Sequence, residues 1–302
     1  VKPYLAAFIS SCLFGLSFTF SRSALQHVAP MQMLAFRFWL AAGLMHILRA
    51  AGVLKVNLRA KNLCPLLILG LIQPVLYFIF ETIGIALTSA SEASIVVALI
   101  PVFSVIFAVI LLKERPRWIQ LVFAAVSMCG VLLIAALEAS GEASGNLVGL
   151  LILLGAPICA ACFTVLSRYL SGRFTAAERT FVMMNLSAVA FTALAVVEQA
   201  DRGSLGALFT PLTQPAVWTA VLYLGACSSV GAFFLVNYAL SQLEASHMSV
   251  FNNLTTLIAV AAAVLVLKEP LHWYHVVGGA LIILGVWGTT AAGQKKQIEL
   301  KG

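Results

Sequence analysis

The chain has 302 residues, of which 62% are hydrophobic and only 10% charged, against roughly 25% charged residues in an ordinary soluble domain. So much apolar surface cannot be hidden in one water-soluble core. The formal charge of +7 does not point to nucleic acid, because the basic residues sit mostly in short loops between apolar runs, where they set orientation in a membrane.

Runs of about 20 apolar residues recur from one end to the other, each long enough to cross a hydrocarbon layer ~30 Å thick. In lipid only helices or a closed barrel satisfy the backbone. The runs are continuous rather than alternating and rich in Leu, Ala, Val and Ile, which selects helices. With Pro, Gly and charge clusters as punctuation, spans are predicted at 4–24, 30–50, 63–87, 90–112, 117–137, 148–171, 177–198, 215–241, 245–267 and 272–293. The expected fold is an all-α integral membrane protein with ten transmembrane helices. The first run lacks a strongly basic leader and continues into further spans, so it is expected to be a retained helix rather than a signal peptide. Five of the six cysteines fall inside spans and Cys64 lies at the edge of one, which suits packing rather than a disulfide framework.

If the loops alternate sides, fourteen of the eighteen Lys and Arg residues collect on one side, leaving Arg22, Arg202 and Lys268 opposite and Arg37 inside the second span. This bias puts both termini in the cytoplasm. The order of residues carries a second signal. Sliding the chain on itself by 155 positions aligns Ser89 through Trp118 with a later stretch without a gap: Ala90, Ser91, Ser94, Leu99, Lys113, Glu114 and Trp118 recur as Ala245, Ser246, Ser249, Leu254, Lys268, Glu269 and Trp273. Shared membrane composition does not explain a match that keeps a charged pair and a tryptophan. Residues 1–142 and 143–302 are therefore expected to be two five-helix repeats. An odd number of spans per copy turns the second upside down in the membrane, and such halves can exchange conformations around a central site.

With these features the chain resembles the EamA-type family of the drug/metabolite transporter superfamily. The residues that carry the likeness are SASEAS before the fourth span, Pro101 within it, LLKERP at 111–116 with its echo LKEP at 267–270, and FGLSFTFSR in the first span. The resemblance implies secondary export of amino acids or other small metabolites, including an aromatic amino acid branch, through a cavity formed chiefly by helices 3, 4, 8 and 9. Multidrug or lipophilic-cation efflux is the alternative within that class. A bacterial inner-membrane location, a small-molecule substrate and protons as a candidate coupling ion go with it. A duplicated chain supplies its own internal interface, so a monomer is expected.

Ionisable groups inside spans are costly and mark functional candidates. Arg37 and Glu81 each lie seven residues from the outer end of their span, roughly 10 Å deep at 1.5 Å per residue. They are either a structural ion pair or, for Glu81, a cavity group that holds a cation or a proton. Gln73, Tyr77 and Glu81 recur every four residues as one polar stripe on the third span, and their counterparts 155 positions on are Ser228, Ala232 and Val236. On the ninth span Ser249, Asn252 and Thr256 share a face, with Asn253 adjacent; they serve either as substrate contacts or as interhelical glue. Asn237 and Tyr238 on the eighth span and Asn185 on the seventh have the same two readings. Trp39 is a candidate cavity wall, whereas Trp118, Trp218 and Trp273 near span ends suit an interfacial belt. The Lys113–Glu114 and Lys268–Glu269 pairs suit tight hairpins.

Enzyme signatures are missing. Asp201 is the only aspartate, so an aspartyl dyad cannot be built. Cys159 and Cys162 form CAAC without a soluble βαβ context. His272 and His275 are only two ligands, too few for a metal centre, and no phosphate-binding G-x-x-x-x-G-K-[ST] loop occurs. No cofactor is implied. A membrane-embedded enzyme is the different-class alternative, and a scaffold would normally display a soluble domain that loops of about 15 residues are too short to form.

Overall fold

The structure, a computed structural model, describes residues 2–59, 61–100, 102–103, 106–107, 118–140, 147–243, 245–268 and 271–301, with only the backbone described for some of them. Pro101, Lys113, Glu114 and Glu269 lie outside the described residues, as do the side chains of Ser249, Asn252 and Asn253.

Every regular element among the described residues is helical. In chain order they are α1 (Lys2–Leu25), α2 (Pro30–Ala50), α3 (Cys64–Gly70), α4 (Tyr77–Leu87), α5 (Ala90–Val97), α6 (Trp118–Ser140), α7 (Leu147–Leu153), α8 (Gly155–Leu170), α9 (Ala176–Asp201), α10 (Pro215–Leu222), α11 (Phe233–Gln242), α12 (Ala245–Ala262) and α13 (Trp273–Lys301). Wider π-type turns at Leu71–Leu76 and Tyr223–Ala232 join α3 to α4 and α10 to α11. Six stretches among the described residues are long and apolar enough to cross a membrane: Lys2–Leu25, Pro30–Ala50, Cys64–Leu87, Leu147–Leu170, Ala176–Asp201 and Pro215–Gln242. They coincide with six of the predicted spans. Shorter apolar helices at Leu121–Gly130, Leu254–Leu267 and Trp273–Gly285 fall inside three more.

Large apolar side chains line the outside of these helices, Phe8, Leu67, Leu151, Val189 and Leu222 among them, as expected where lipid replaces water as the solvent. Trp118, Trp218 and Trp273 are exposed near helix ends, the positions an interfacial belt requires.

Helix starts are secured by side chains because four backbone N–H groups at each start lack intrahelical partners. Ser89 with Glu92 and Thr175 with Glu178 form reciprocal capping boxes at α5 and α9, and Glu198 accepts from the Met31 amide at the start of α2 (3.0 Å). Glu178 also pairs with Lys61 at 2.8 Å, tying the connection after α2 to α9.

Two helix pairs run antiparallel over their lengths. Between α2 and α9, Gln32 meets Gln199 (3.1 Å), Trp39 meets Thr192 (2.6 Å) and His46 meets Asn185 (2.9 Å). Between α6 and α13 the contact is made by glycines: a Cβ on Gly130 would lie 2.6 Å from the Gly278 carbonyl oxygen, and one on Gly285 would lie 2.5 Å from that of Phe123. Gly130 and Gly285 are 155 positions apart, and so are Phe123 and Gly278. Small residues let backbones approach where lipid offers no hydrophobic drive for association.

Candidate functional site

The third predicted span is broken in the middle. Pro74 disfavours helical geometry at the residue before it, and Gln73 takes an extended conformation (φ −148°, ψ 119°) inside the turn between α3 and α4. Irregular backbone at membrane depth is tolerated where it is buried in protein or lines a cavity. Here it lines one. A cavity of about 80 Å³ opens beside the break, walled by Phe14, Ser17 and Phe18 of α1, Gln73, Tyr77, Phe78 and Glu81, Val97 and Ile100, Ala160, Phe163 and Thr164 of α8, Phe233 and Val236 of α11, and Thr255 of α12.

Polar groups are few and grouped. Tyr77 donates its hydroxyl to Glu81 Oε1 at 2.8 Å, leaving the second carboxyl oxygen without a protein partner among the described residues. Gln73, 8% exposed, carries an Oε1 with no hydrogen bond. Five phenylalanines share the remaining wall with smaller side chains: Phe78 and Phe233 touch with centroids 6.1 Å apart, and Phe163 meets Phe233 at the same separation. Three pairs of lining residues are 155 positions apart: Phe78 with Phe233, Glu81 with Val236, and Ile100 with Thr255.

Arg37 is fully buried but does not line the cavity. Its Nε donates to Ser229 (2.8 Å) and its Nη2 to Ser228 (2.9 Å), and the guanidinium lies over the Phe78 ring at 4.1 Å. Gly225 makes this reach possible: a Cβ there would lie 3.0 Å from the Arg37 carbonyl oxygen. The direct ion pair expected between Arg37 and Glu81 is therefore not formed. Glu81 takes a neutral partner on its own helix and Arg37 takes two serines, leaving its Nη1 without a hydrogen bond and its guanidinium over a ring that Glu81's helix supplies.

Gln73, Tyr77 and Glu81 come together at one cavity, although the stripe bends at Gln73 instead of running along one straight helix. Asn237 goes elsewhere. It accepts from Ser167 (2.8 Å), donates to Thr180 (3.0 Å) and gives its backbone oxygen to the buried Arg179 (2.7 Å), a network that bonds α8, α9 and α11. Tyr238 packs against the apolar core. Thr256 is buried and donates to the Ser94 oxygen of α5 at 3.1 Å, while its neighbour Thr255 reaches the cavity. Asn185 bonds His46 and the Phe181 carbonyl. Trp39 is 57% exposed: at 100° per residue it sits some 200° around α2 from inward-facing Arg37, so it is not a cavity wall.

Sequence reasoning missed the contribution of the first and sixth spans, which adds to the expected helices 3, 4, 8 and 9. Phe14, Ser17 and Phe18 at i, i+3 and i+4 mark one face of α1. Another missed signal is the repetition of Phe18-Thr19…Ser21-Arg22 as Phe163-Thr164…Ser167-Arg168, one residue longer. In both stretches the arginine closes a helix end: Arg22 donates to the Ile85 (2.7 Å) and Ala86 carbonyls of α4, and Arg168 to those of Leu240 (3.0 Å) and Leu243 at the end of α11. Ile85 and Leu240 are again 155 apart. The two histidines of HWYH do not gather a metal site; His275 lies 3.8 Å from Glu92, and no group of three ligand-type residues occurs among the described residues.

A sequence model of the EamA-like transporter family matches residues 1–136 and 147–291. The chain belongs to this family. The transporter YcxC of Bacillus subtilis (strain 168) is 37% identical over 293 residues, covering 97% of this chain and 94% of its own. A probable terminal-alkyne amino-acid exporter of Streptantibioticus cattleyicolor is 29% identical over 239 residues, 78% of this chain and 76% of its own. One solved crystal structure shares the fold, with a TM-score of 0.65 at 20% identity over 97% of this chain and 98% of that one. This EamA-like chain is thus a multi-pass membrane transporter of small molecules, not an enzyme.

Proposed function

We propose that the chain exports small metabolites, amino acids foremost, across a bacterial inner membrane by alternating access. In this reading ten spans form two inverted five-helix repeats, 1–142 and 143–302, with both termini cytoplasmic and one chain as the working unit. The observation that carries it is the cavity at the broken third span, where Glu81, the one carboxyl group among the described lining residues, stands among residues related by the 155-position offset. Discontinuous helices around a midplane site are the usual architecture of secondary carriers built from inverted repeats. Support for amino acids comes from the Streptantibioticus relative, named as an exporter of an amino acid, and Bacillus relatives support the inner membrane.

Efflux of lipophilic cations is the second reading, favoured by the aromatic wall around Glu81. Purified protein in liposomes, tested with amino acids, sugars and cationic drugs with and without a pH gradient, separates the two. Glu81→Gln is expected to abolish proton-dependent transport at normal protein abundance. Undiminished transport by that variant removes Glu81 from the mechanism.

A further inference from the structure

The cavity is chemically one-sided. Among the described residues its lining contains no Lys, Arg or His. Its two unengaged acceptors are the carboxyl oxygen of Glu81 that Tyr77 does not engage and the Oε1 of Gln73, buried and without a partner; beside them stand the Gln73 amide nitrogen and the hydroxyls of Ser17, Thr164 and Thr255. A buried carbonyl left unpaired is costly, and a ligand carrying N–H donors would satisfy it. Five phenylalanines, Phe14, Phe18, Phe78, Phe163 and Phe233, complete the wall, and aromatic faces attract cations while offering nothing to an anion.

Arg37, the nearby cation, donates to Ser229 and Ser228 and lies over the Phe78 face; its Nη1 keeps no hydrogen-bond partner, but the residue lies outside the lining. It is not presented to a bound carboxylate. We infer that the site selects its substrate by a primary ammonium group, held between Glu81 and Gln73, and leaves the substrate's carboxylate unread by any protein cation. This rests on the cavity being the transport site. Size is compatible with this: about 80 Å³, roughly half of the ~150 Å³ that accommodates benzene, is room for the ammonium end of a small compound.

Three related compounds test the inference: L-alanine, ethylamine, which is L-alanine without the carboxylate, and propionate, which is L-alanine without the ammonium. Binding of each to the full chain in lipid nanodiscs is measured by calorimetry and by ligand-induced thermal stabilisation. Ethylamine and L-alanine are expected to bind within about threefold of each other, with propionate at least tenfold weaker. Ethylamine tenfold weaker than L-alanine, propionate binding as well as either, or no binding by any of the three overturns the inference. Glu81→Gln is expected to lose ethylamine binding. Because that substitution can disturb folding, Gln73→Leu is measured beside it, with an expected loss of three- to tenfold at unchanged melting temperature; unaltered ethylamine binding by a folded Gln73→Leu also overturns the inference. The liposome assay keeps the parent reading separate. Ethylamine binding without transport of any amino acid upholds the ammonium site and removes amino acid export, whereas amino acid transport that ethylamine cannot compete does the reverse.

Discussion

The N-terminal and C-terminal walls of the cavity are built alike and furnished differently. Phe78 faces Phe233, and Phe18 has Phe163 as its counterpart, so the aromatic frame is the same on both sides. The helix-closing arginines, Arg22 and Arg168, are the same too. The difference is largest at three positions of the third span, where Gln73, Tyr77 and Glu81 stand against Ser228, Ala232 and Val236 of the eighth; a fourth pair, Ile100 and Thr255, runs the other way and puts a hydroxyl on the C-terminal wall. Of those, Ser228 serves Arg37 rather than the cavity, and Val236 contributes only apolar surface. The two sides thus share the aromatic frame and the helix-closing arginines, while the carboxyl and amide groups of the described lining stand on one side.

Breaking the asymmetry should have the largest effect. Glu81→Val makes the two walls equal at that position and is expected to lower transport by more than tenfold, measured as initial rates in proteoliposomes. Adding Val236→Glu puts the carboxyl group back on the opposite wall. If the cavity is as symmetric in shape as the aromatic pairs indicate, the double variant recovers part of the binding; no recovery means that Gln73 and Tyr77 are needed beside the carboxyl group.

Next come the shared elements. Leucine at Gly130 or at Gly285 would drive a side chain into the facing backbone, since even a Cβ lies 2.6 Å and 2.5 Å from carbonyl oxygens there. Overpacking of this kind costs about 1–3 kcal/mol. The two substitutions are expected to lower the melting temperature by similar amounts; a large effect at one and none at the other would mean that the α6–α13 contact is not symmetric. Arg22→Gln and Arg168→Gln each remove charged hydrogen bonds to helix-end carbonyls, worth about 1.5–3 kcal/mol apiece before partial compensation by the amide, and a matched pair of smaller shifts is expected.

Much of this was legible in the residues. Span length and apolar continuity located the six long helices, and the fixed offset paired Glu81 with Val236, both of which line the cavity. Gln73, Tyr77 and Glu81 could be read because polar groups at helical spacing in an apolar run have few other places to face. Three things escaped. The break at Gln73 turned on Pro74, whose effect on the preceding residue is local and was not weighed. The arginine correspondence sits at an offset of 146 rather than 155, because the loops between spans differ in length, so a gapless comparison passes over it. Asn237 and Thr256 look like ligand groups in sequence for the same reason they make good interhelical bonds: a polar side chain in a span seeks any partner, and periodicity does not say whether that partner is solute or protein.

Trp39 and Phe38 provide the smallest and sharpest test of inside against outside. Phe38 is fully buried, stacked on Phe191 at 5.2 Å and in edge contact with Phe78 at 5.4 Å, so it backs the ring that lines the cavity. Trp39, the next residue, faces outward and gives its indole N–H to Thr192 at 2.6 Å. Trp39→Phe removes that one hydrogen bond while keeping an aromatic ring toward lipid, and is expected to cost about 1 kcal/mol with transport rates unchanged. Phe38→Ala should cost about 3–5 kcal/mol, as core aromatic truncations do, and should lower transport by loosening Phe78. Reduced transport by a stable Trp39→Phe protein would mean that this face of α2 meets the solute in another conformation of the cycle, because the structure leaves it no route to the cavity in this one.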